Sequence, residues 1–319
     1  MHLVATIASL TLGQSGSGGG TAFNAAAWQR ARKALPSTAA ADAAAMAAAN
    51  EQLPSTRSKP WPVMRGSACA ATRRFRVVFM FTSTPTRAAR VPRVLANMRA
   101  QSLKPDVVVL AIPHSYARPP LNTMSYDLPP AVAADPLLQV VRVDRDAGPL
   151  TKYLGLQSGT AARRSASDIV VVGDDDMTYG SKFVEDFACA VANSPDGVVV
   201  SSGRDKSCEA LGACVMGFRG VAVRAGMLDR LVGSQVPPEC FLADDVFVTH
   251  HFLSRRFEMR KLRTRTKYTI DAAFAWSNES INAIHRRHQY TINRACVHRM
   301  LLGEGRGRRG KKSGAGSFA

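Results

Sequence analysis

Short runs of consecutive apolar, β-forming residues recur through the middle of the chain, and they restrict its fold more than any other feature. They are VVFMF at Val77–Phe81, VVVLAI at Val107–Ile112, LQVVRV at Leu138–Val143, DIVVVG at Asp168–Gly173 and GVVVS at Gly197–Ser201. Most lack the polar alternation of a half-solvated strand, so they read as strands buried on both faces, as in a parallel sheet. Between the first two, Val91, Val94, Leu95 and Met98 recur at helical spacing, and Pro105 closes the segment. Strand, helix and strand within about 35 residues form a βαβ unit. Lys182–Val191 has helical periodicity, and helices are also expected from Leu150 to Thr160 and from Phe241 to Phe252. Residues 215–223 read as a strand-rich stretch broken by glycine. The expectation is an α/β fold: a mostly parallel, Rossmann-like sheet flanked by helices, in a single domain.

That domain is expected over residues 71–303 of the 319. Residues 1–70 read as an N-terminal extension: signal, anchor or stem. It holds an apolar run from Leu3 to Leu12 without preceding Lys or Arg, the stretch GQSGSGGG, an Ala-rich segment and a linker marked by Pro54, Pro60 and Pro62. Residues 304–319, with RGRRGKK at 306–312, read as a basic tail too polar and glycine-rich to build a core. No apolar stretch reaches 18 residues, the usual length of a membrane span.

The formal charge of +18 calls for an anionic partner: nucleic acid, an anionic membrane surface or a phosphorylated ligand. No aromatic residue lies between Tyr290 and Phe318, so the basic end carries no signal for stacking on bases. The six cysteines contain no C-x-x-C pair, which argues against a zinc ribbon; Cys208 and Cys214 could close a short loop in an oxidising compartment.

Chemistry concentrates at two acidic clusters. Asp174-Asp175-Asp176 follows the buried strand at 168–173, and ligands of open α/β sheets sit at the carboxyl ends of strands. Three adjacent carboxylates repel one another, and a hard divalent cation relieves the repulsion. Asp174 and Asp176, two residues apart on extended chain, could meet one metal, or one could take the metal and the other a ribose. Asp244-Asp245 is the second cluster. It suits a helix N-terminus and also suits a general base for a sugar hydroxyl. The turn Asp146–Lys152 (DAGPLTK) and Arg87 could hold a phosphate, and Arg255 or Arg256 could add positive charge near it. His250, His251, His285, His288 and His298 are better explained by packing or surface exposure than as ligands.

Taken together, FTSTPTR at 81–87, DAGPLTKYLG at 146–155, DIVVVGDDDM at 168–177, GFRGVAV at 217–223 and CFLADDVFVTHHF at 240–252 resemble, in order and spacing, the GT-A glycosyltransferases. The likeness is to the small family-2-like proteins of algae and large algal viruses, from about Arg76 to Met300. This resemblance implies a nucleotide-diphosphate sugar donor, Mn²⁺ or Mg²⁺, and a DXD role for the triplet. Asp174 and Asp176 would bind metal. Thr82, Ser83, Arg87, Lys152, Asp174 and Asp175 would bind donor, Asp245 would be the base and Asp244 its neighbour. Asp244 stands where the family more often has Glu. The Gln-x-x-Arg-Trp motif of processive synthases is absent, which favours transfer of a single sugar. The acceptor would be a glycan, protein or lipid, with no specific nucleic acid, and peripheral or anchored membrane association fits. The setting implied is the Golgi or secretory pathway, with the cytoplasm as the alternative. The rivals are a nucleotidyltransferase, disfavoured because FTSTPTR lacks glycine, and a non-enzymatic basic nucleic-acid-binding protein, which leaves the triplet unexplained.

Overall fold

The computed structural model describes residues 62–65, 75–117, 120–156, 162–203, 214–229, 231, 236–263, 268–270 and, in three short pieces, 292–293, 295–297 and 299–300. The apolar run at Leu3–Leu12, the Ala-rich segment, the basic tail and the histidines 285, 288 and 298 lie outside these residues.

The centre is an eight-stranded sheet. Its strands, in chain order, are β1 (Val63–Arg65), β2 (Val77–Thr82), β3 (Val107–Pro113), β4 (Leu138–Val143), β5 (Ile169–Val172), β7 (Val198–Ser201), β8 (Val221–Arg224) and β9 (Glu258–Arg263), arranged β1-β9-β7-β8-β5-β2-β3-β4. Every neighbouring pair is parallel except β8, which runs antiparallel to both β5 and β7. The mostly parallel α/β sheet flanked by helices that the sequence leads one to expect is the observed architecture. β1 falls within the stretch expected to precede the domain, and adds an edge strand beside β9. A separate antiparallel ribbon pairs β6 (Met177–Tyr179) with β10 (Tyr268–Ile270).

The apolar runs explain the two-sided core. Along β2, Val78 and Met80 face one layer while Val77, Phe79 and Phe81 face the other, and β3 and β5 divide in the same way. The second layer is closed by α1 (Val91–Arg99), through Val91, Val94, Leu95 and Met98, and by α3 (Phe183–Ala192), through Phe183, Phe187 and Val191. A short helix, α2 (Pro130–Ala133), precedes β4. The first layer is closed by α4 (Asp244–Ser254), by Leu150, Tyr153 and Leu154, and by Ile292, Cys296 and Val297. Among the described residues no helix is long and apolar enough to cross a membrane.

Two sequence expectations shift. The helix expected from Leu150 is a 3₁₀ turn over Gly148–Leu154, and residues 157–161 lie outside the described set. Gly148 has φ +62, and a Cβ there would stand 2.4 Å from the Phe241 carbonyl oxygen. The turn is thus pressed against the segment leading into α4, where a left-handed, side-chain-free residue is required. The glycine-broken stretch resolves into a 3₁₀ turn at Gly217–Arg219 and then strand β8. Cys240 and Cys296 form a disulfide that joins the α4 lead-in to the C-terminal helical residues. Cys214, which could close a short loop with Cys208, is disulfide-bonded, as is Cys189, while Cys208 lies outside the described residues.

Candidate functional site

The acidic triplet occupies the bend between β5 and β6. β5 stops at Val172, and Gly173 admits the Tyr179 hydroxyl, which a Cβ would meet at 2.5 Å. That hydroxyl accepts the Asp174 N–H (2.8 Å) and donates to the Phe218 carbonyl (3.0 Å), fixing the start of the triplet.

Each carboxylate of the triplet is paired with a cation, Asp175 and Asp176 with the same one. Asp174 Oδ1 takes the ammonium of Lys152 at 2.7 Å. Asp175 pairs with Arg87 at 2.9 Å and accepts the Ser83 hydroxyl at 2.6 Å, while Asp176 takes the other arm of Arg87 at 2.7 Å. Asp175 therefore turns inward and is only 5% exposed. Burial pushes its carboxyl up to about 6 against the pull of Arg87. Arg87, in the 3₁₀ turn after β2, overcomes its own burial through the two carboxylates and is held more firmly charged than usual. Thr82 spends its hydroxyl on the Ala111 carbonyl of β3.

Lys152 joins the two acidic clusters. It is 2% exposed, and its Nζ lies 2.7 Å from Asp174 and 3.0 Å from Asp244. Burial alone would lower its pKa, but Asp174 and Asp244 reverse this and raise it well above the ordinary value. The segment after the Gly148-Pro149 turn delivers it there, packed so tightly that a Cβ on Gly217 would sit 2.8 Å from Nζ.

Asp244 and Asp245 open α4, where the helix dipole favours negative charge. They are held differently. Asp244 pairs with Lys152, while Asp245 Oδ1 accepts the Gly217 N–H at 2.8 Å. Burial, and then the neighbouring Asp244, push the Asp245 carboxyl well above the usual range, against Lys152 and the Gly217 N–H. A carboxylate made more basic by burial and oriented by a backbone donor is fitted to take a proton.

The sequence-derived site residues thus assemble into two joined clusters: Ser83, Arg87, Asp175 and Asp176 in one, Lys152, Asp174, Asp244 and Asp245 in the other. Arg255 and Arg256 do not join them. Arg255 caps the far end of α4, ten residues and about 15 Å from Asp245, and both arginines are exposed. His251 is buried in the α4 packing, its pKa lowered to about 4 by burial first and then by Arg255. Two contributors escaped sequence reasoning: Tyr179 and Gly217. They act through a hydroxyl bridge and a backbone N–H, which no side-chain motif signals; the glycine pair around Phe218-Arg219 was the available hint.

The donor set fits a hard divalent cation shared with a ligand. Asp174 and Asp176 offer carboxylate oxygen, and no group of three or more His, Cys, Asp or Glu among the described residues is placed to cage an ion. Mg²⁺ in particular is commonly held by one or two carboxylates together with substrate phosphates, so two carboxylates suffice when a diphosphate completes the shell.

No family model matches the chain, and no curated protein matches it. Among solved structures it is similar to the mannosyltransferase PcManGT from Pyrobaculum calidifontis in complex with GDP-Man and Mn²⁺. That likeness has 17% sequence identity, covers 83% of this chain and 78% of that one, and has a TM-score of 0.45.

Proposed function

We propose that the chain is a glycosyltransferase that moves a single sugar from a nucleotide-diphosphate sugar to an acceptor hydroxyl, with Mn²⁺ or Mg²⁺ and with inversion at the anomeric carbon. The observation that carries this reading is the junction at Lys152. It brings the strand-end triplet and the acid pair of α4 into one site, where a donor and a base are needed together. The five motifs in order, from FTSTPTR to CFLADDVFVTHHF, support it as well.

Asp174 and Asp176 would hold a divalent ion, which when bound would supply positive charge to offset that of the departing diphosphate. Asp245, oriented by the Gly217 N–H, takes the proton of the acceptor hydroxyl. The acceptor oxygen bonds to the anomeric carbon as the carbon–oxygen bond to the diphosphate breaks, and the electron pair leaves with the phosphate. Lys152 keeps Asp244 paired, so that Asp245 is the carboxylate left to act as base. Arg87 and Ser83 hold Asp175 and Asp176 in place at the loop after β2, where the donor is expected to lie. The acceptor class proposed is a glycan, protein or lipid. A secretory setting is proposed on the Cys240–Cys296 disulfide, because such bonds persist in oxidising compartments.

The test is turnover of a panel of nucleotide sugars with Mn²⁺ by the wild type, Asp176→Ala and Asp245→Asn. Metal-dependent turnover of one donor, lost in Asp176→Ala, supports the class. Loss of transfer with donor binding kept in Asp245→Asn supports the base. A folded wild type that neither binds nor turns over any donor would sink the proposal.

A further inference from the structure

The 3₁₀ turn Gly217–Arg219 hangs between the two acidic clusters by its backbone, and it carries a cation that nothing among the described residues neutralises. The Gly217 N–H holds Asp245, and the Phe218 carbonyl is tied to Asp174 through the Tyr179 hydroxyl. The half-buried Arg219 follows. Its guanidinium carbon lies 5.4 Å from the Phe218 ring centroid and 5.6 Å from that of Tyr268, two rings set edge to face. Its stem packs beside Gly203, where a Cβ would come within 2.8 Å of Arg219 Cδ. Tyr268 belongs to β10, which pairs residue for residue with β6, the strand that leaves the triplet.

Among the described residues the Arg219 guanidinium makes no hydrogen bond and no ion pair, and its Nε is buried without a partner. Lys152 and Arg87 are in the opposite condition, each already shared between two carboxylates. The Nε is withdrawn from water without a hydrogen bond, which is costly, and the ring faces return only part of that cost. Arginine stacked on aromatic planes keeps its N–H edge rigid and available, which is the arrangement that captures phosphate through paired hydrogen bonds.

We infer that Arg219 is a donor-binding residue whose guanidinium takes the diphosphate of the nucleotide sugar beside the triplet, aligned beforehand by Phe218 and Tyr268. This rests on the glycosyltransferase reading above. It gives Arg219 the phosphate-facing role that the sequence suggested for Lys152, Arg255 or Arg256. Lys152 is committed to Asp174 and Asp244, and the other two are exposed at the far end of α4.

The experiment is calorimetric titration of the full chain with GDP and with UDP in the presence of Mg²⁺, using guanosine and uridine as phosphate-free probes. Wild type, Arg219→Gln and Arg219→Lys are compared, with thermal melting as the control for folding. The wild type is expected to bind one diphosphate. Arg219→Gln is expected to weaken that binding at least tenfold, Arg219→Lys to restore part of it, and neither to change binding of the matching nucleoside. If Arg219→Gln melts early, Arg219→Lys, which keeps stem and charge but loses the fork, decides by the same comparison. Diphosphate binding equal to wild type in a folded Arg219 variant overturns the inference while leaving the glycosyltransferase reading intact. Equal diphosphate binding with loss of transfer to an acidic acceptor overturns it too, and places the anion on the acceptor. A wild type that binds neither diphosphate overturns the glycosyltransferase reading and this inference with it.

Discussion

Lys152 and Asp244 form a 3.0 Å ion pair that ties the turn after β4 to the first turn of α4, and the same ammonium holds Asp174 at 2.7 Å. One buried cation therefore sets the relative position of the triplet and the acid pair. Replacing it with methionine leaves two carboxylates facing each other without compensation. Lys152→Met is expected to cost about 3–5 kcal/mol in urea unfolding, the usual penalty for breaking a buried pair by removing one partner. Lys152→Arg should not rescue activity, because the space beside Gly217 is already closed to one added carbon. A Lys152→Met protein as stable as wild type would refute the bridging role.

Metal binding should depend on the nucleotide. Asp174 and Asp176 are each occupied by a protein cation, and two carboxylates make a poor site alone. Titration with Mn²⁺ by itself is expected to give weak binding, tightened by at least tenfold when GDP or UDP, whichever the protein binds, supplies phosphate oxygens. Asp176→Ala should abolish that coupling. Equally tight Mn²⁺ binding with and without nucleotide would contradict the shared-shell arrangement.

His251 predicts a specific loss of stability in acid. It is 6% exposed, and burial, then Arg255 and His250, lower its pKa to about 4, although a hydrogen bond with the Met227 backbone opposes the shift. The unfolded chain takes up the proton near the ordinary 6.5 and the folded one does not. The stabilisation is thus complete above about pH 6.5 and is lost as pH falls through about 4. Urea midpoints measured from pH 7 to pH 4.5 should fall more steeply for wild type than for His251→Leu. Parallel slopes would show that His251 does not carry the effect.

The disulfide between Cys240 and Cys296 closes a loop with a sequence separation of 56 residues, just ahead of Asp244. Loop-closure entropy assigns it about 4 kcal/mol. Cys296→Ala is expected to lower stability by roughly that amount and to reduce kcat more than donor affinity, because the strap carrying Asp244 and Asp245 loses its anchor. Unchanged kcat in a folded Cys296→Ala protein would separate the disulfide from the site.

The strands β2, β3, β4, β5 and β7 and the helices α1 and α3 were legible because each is specified locally. A short, β-branched apolar run bounded by turn residues fits a strand buried on both faces, and the spacing Val91, Val94, Leu95, Met98 fits a helix with one buried side. β9 was not legible: in EMRKLR only Met259 and Leu262 are buried, and the charged residues between them hide the pattern. β1, β6 and β10 are three residues each, too short to carry a period.

The site divides in the same way. Residue type and position after a buried strand marked Asp174–Asp176, and the acid pair at a helix start marked Asp244 and Asp245. Their pairing was beyond the sequence. That β8 runs antiparallel between β5 and β7, that Lys152 reaches both clusters, that Asp175 turns inward to Ser83 and Arg87, and that Arg219 stacks on Phe218 and Tyr268 were decided only by the tertiary structure. Local patterns fix which residues go inside and which elements form. Which charges meet depends on chain segments far apart in sequence arriving at one place, and on how deeply each charge is then buried.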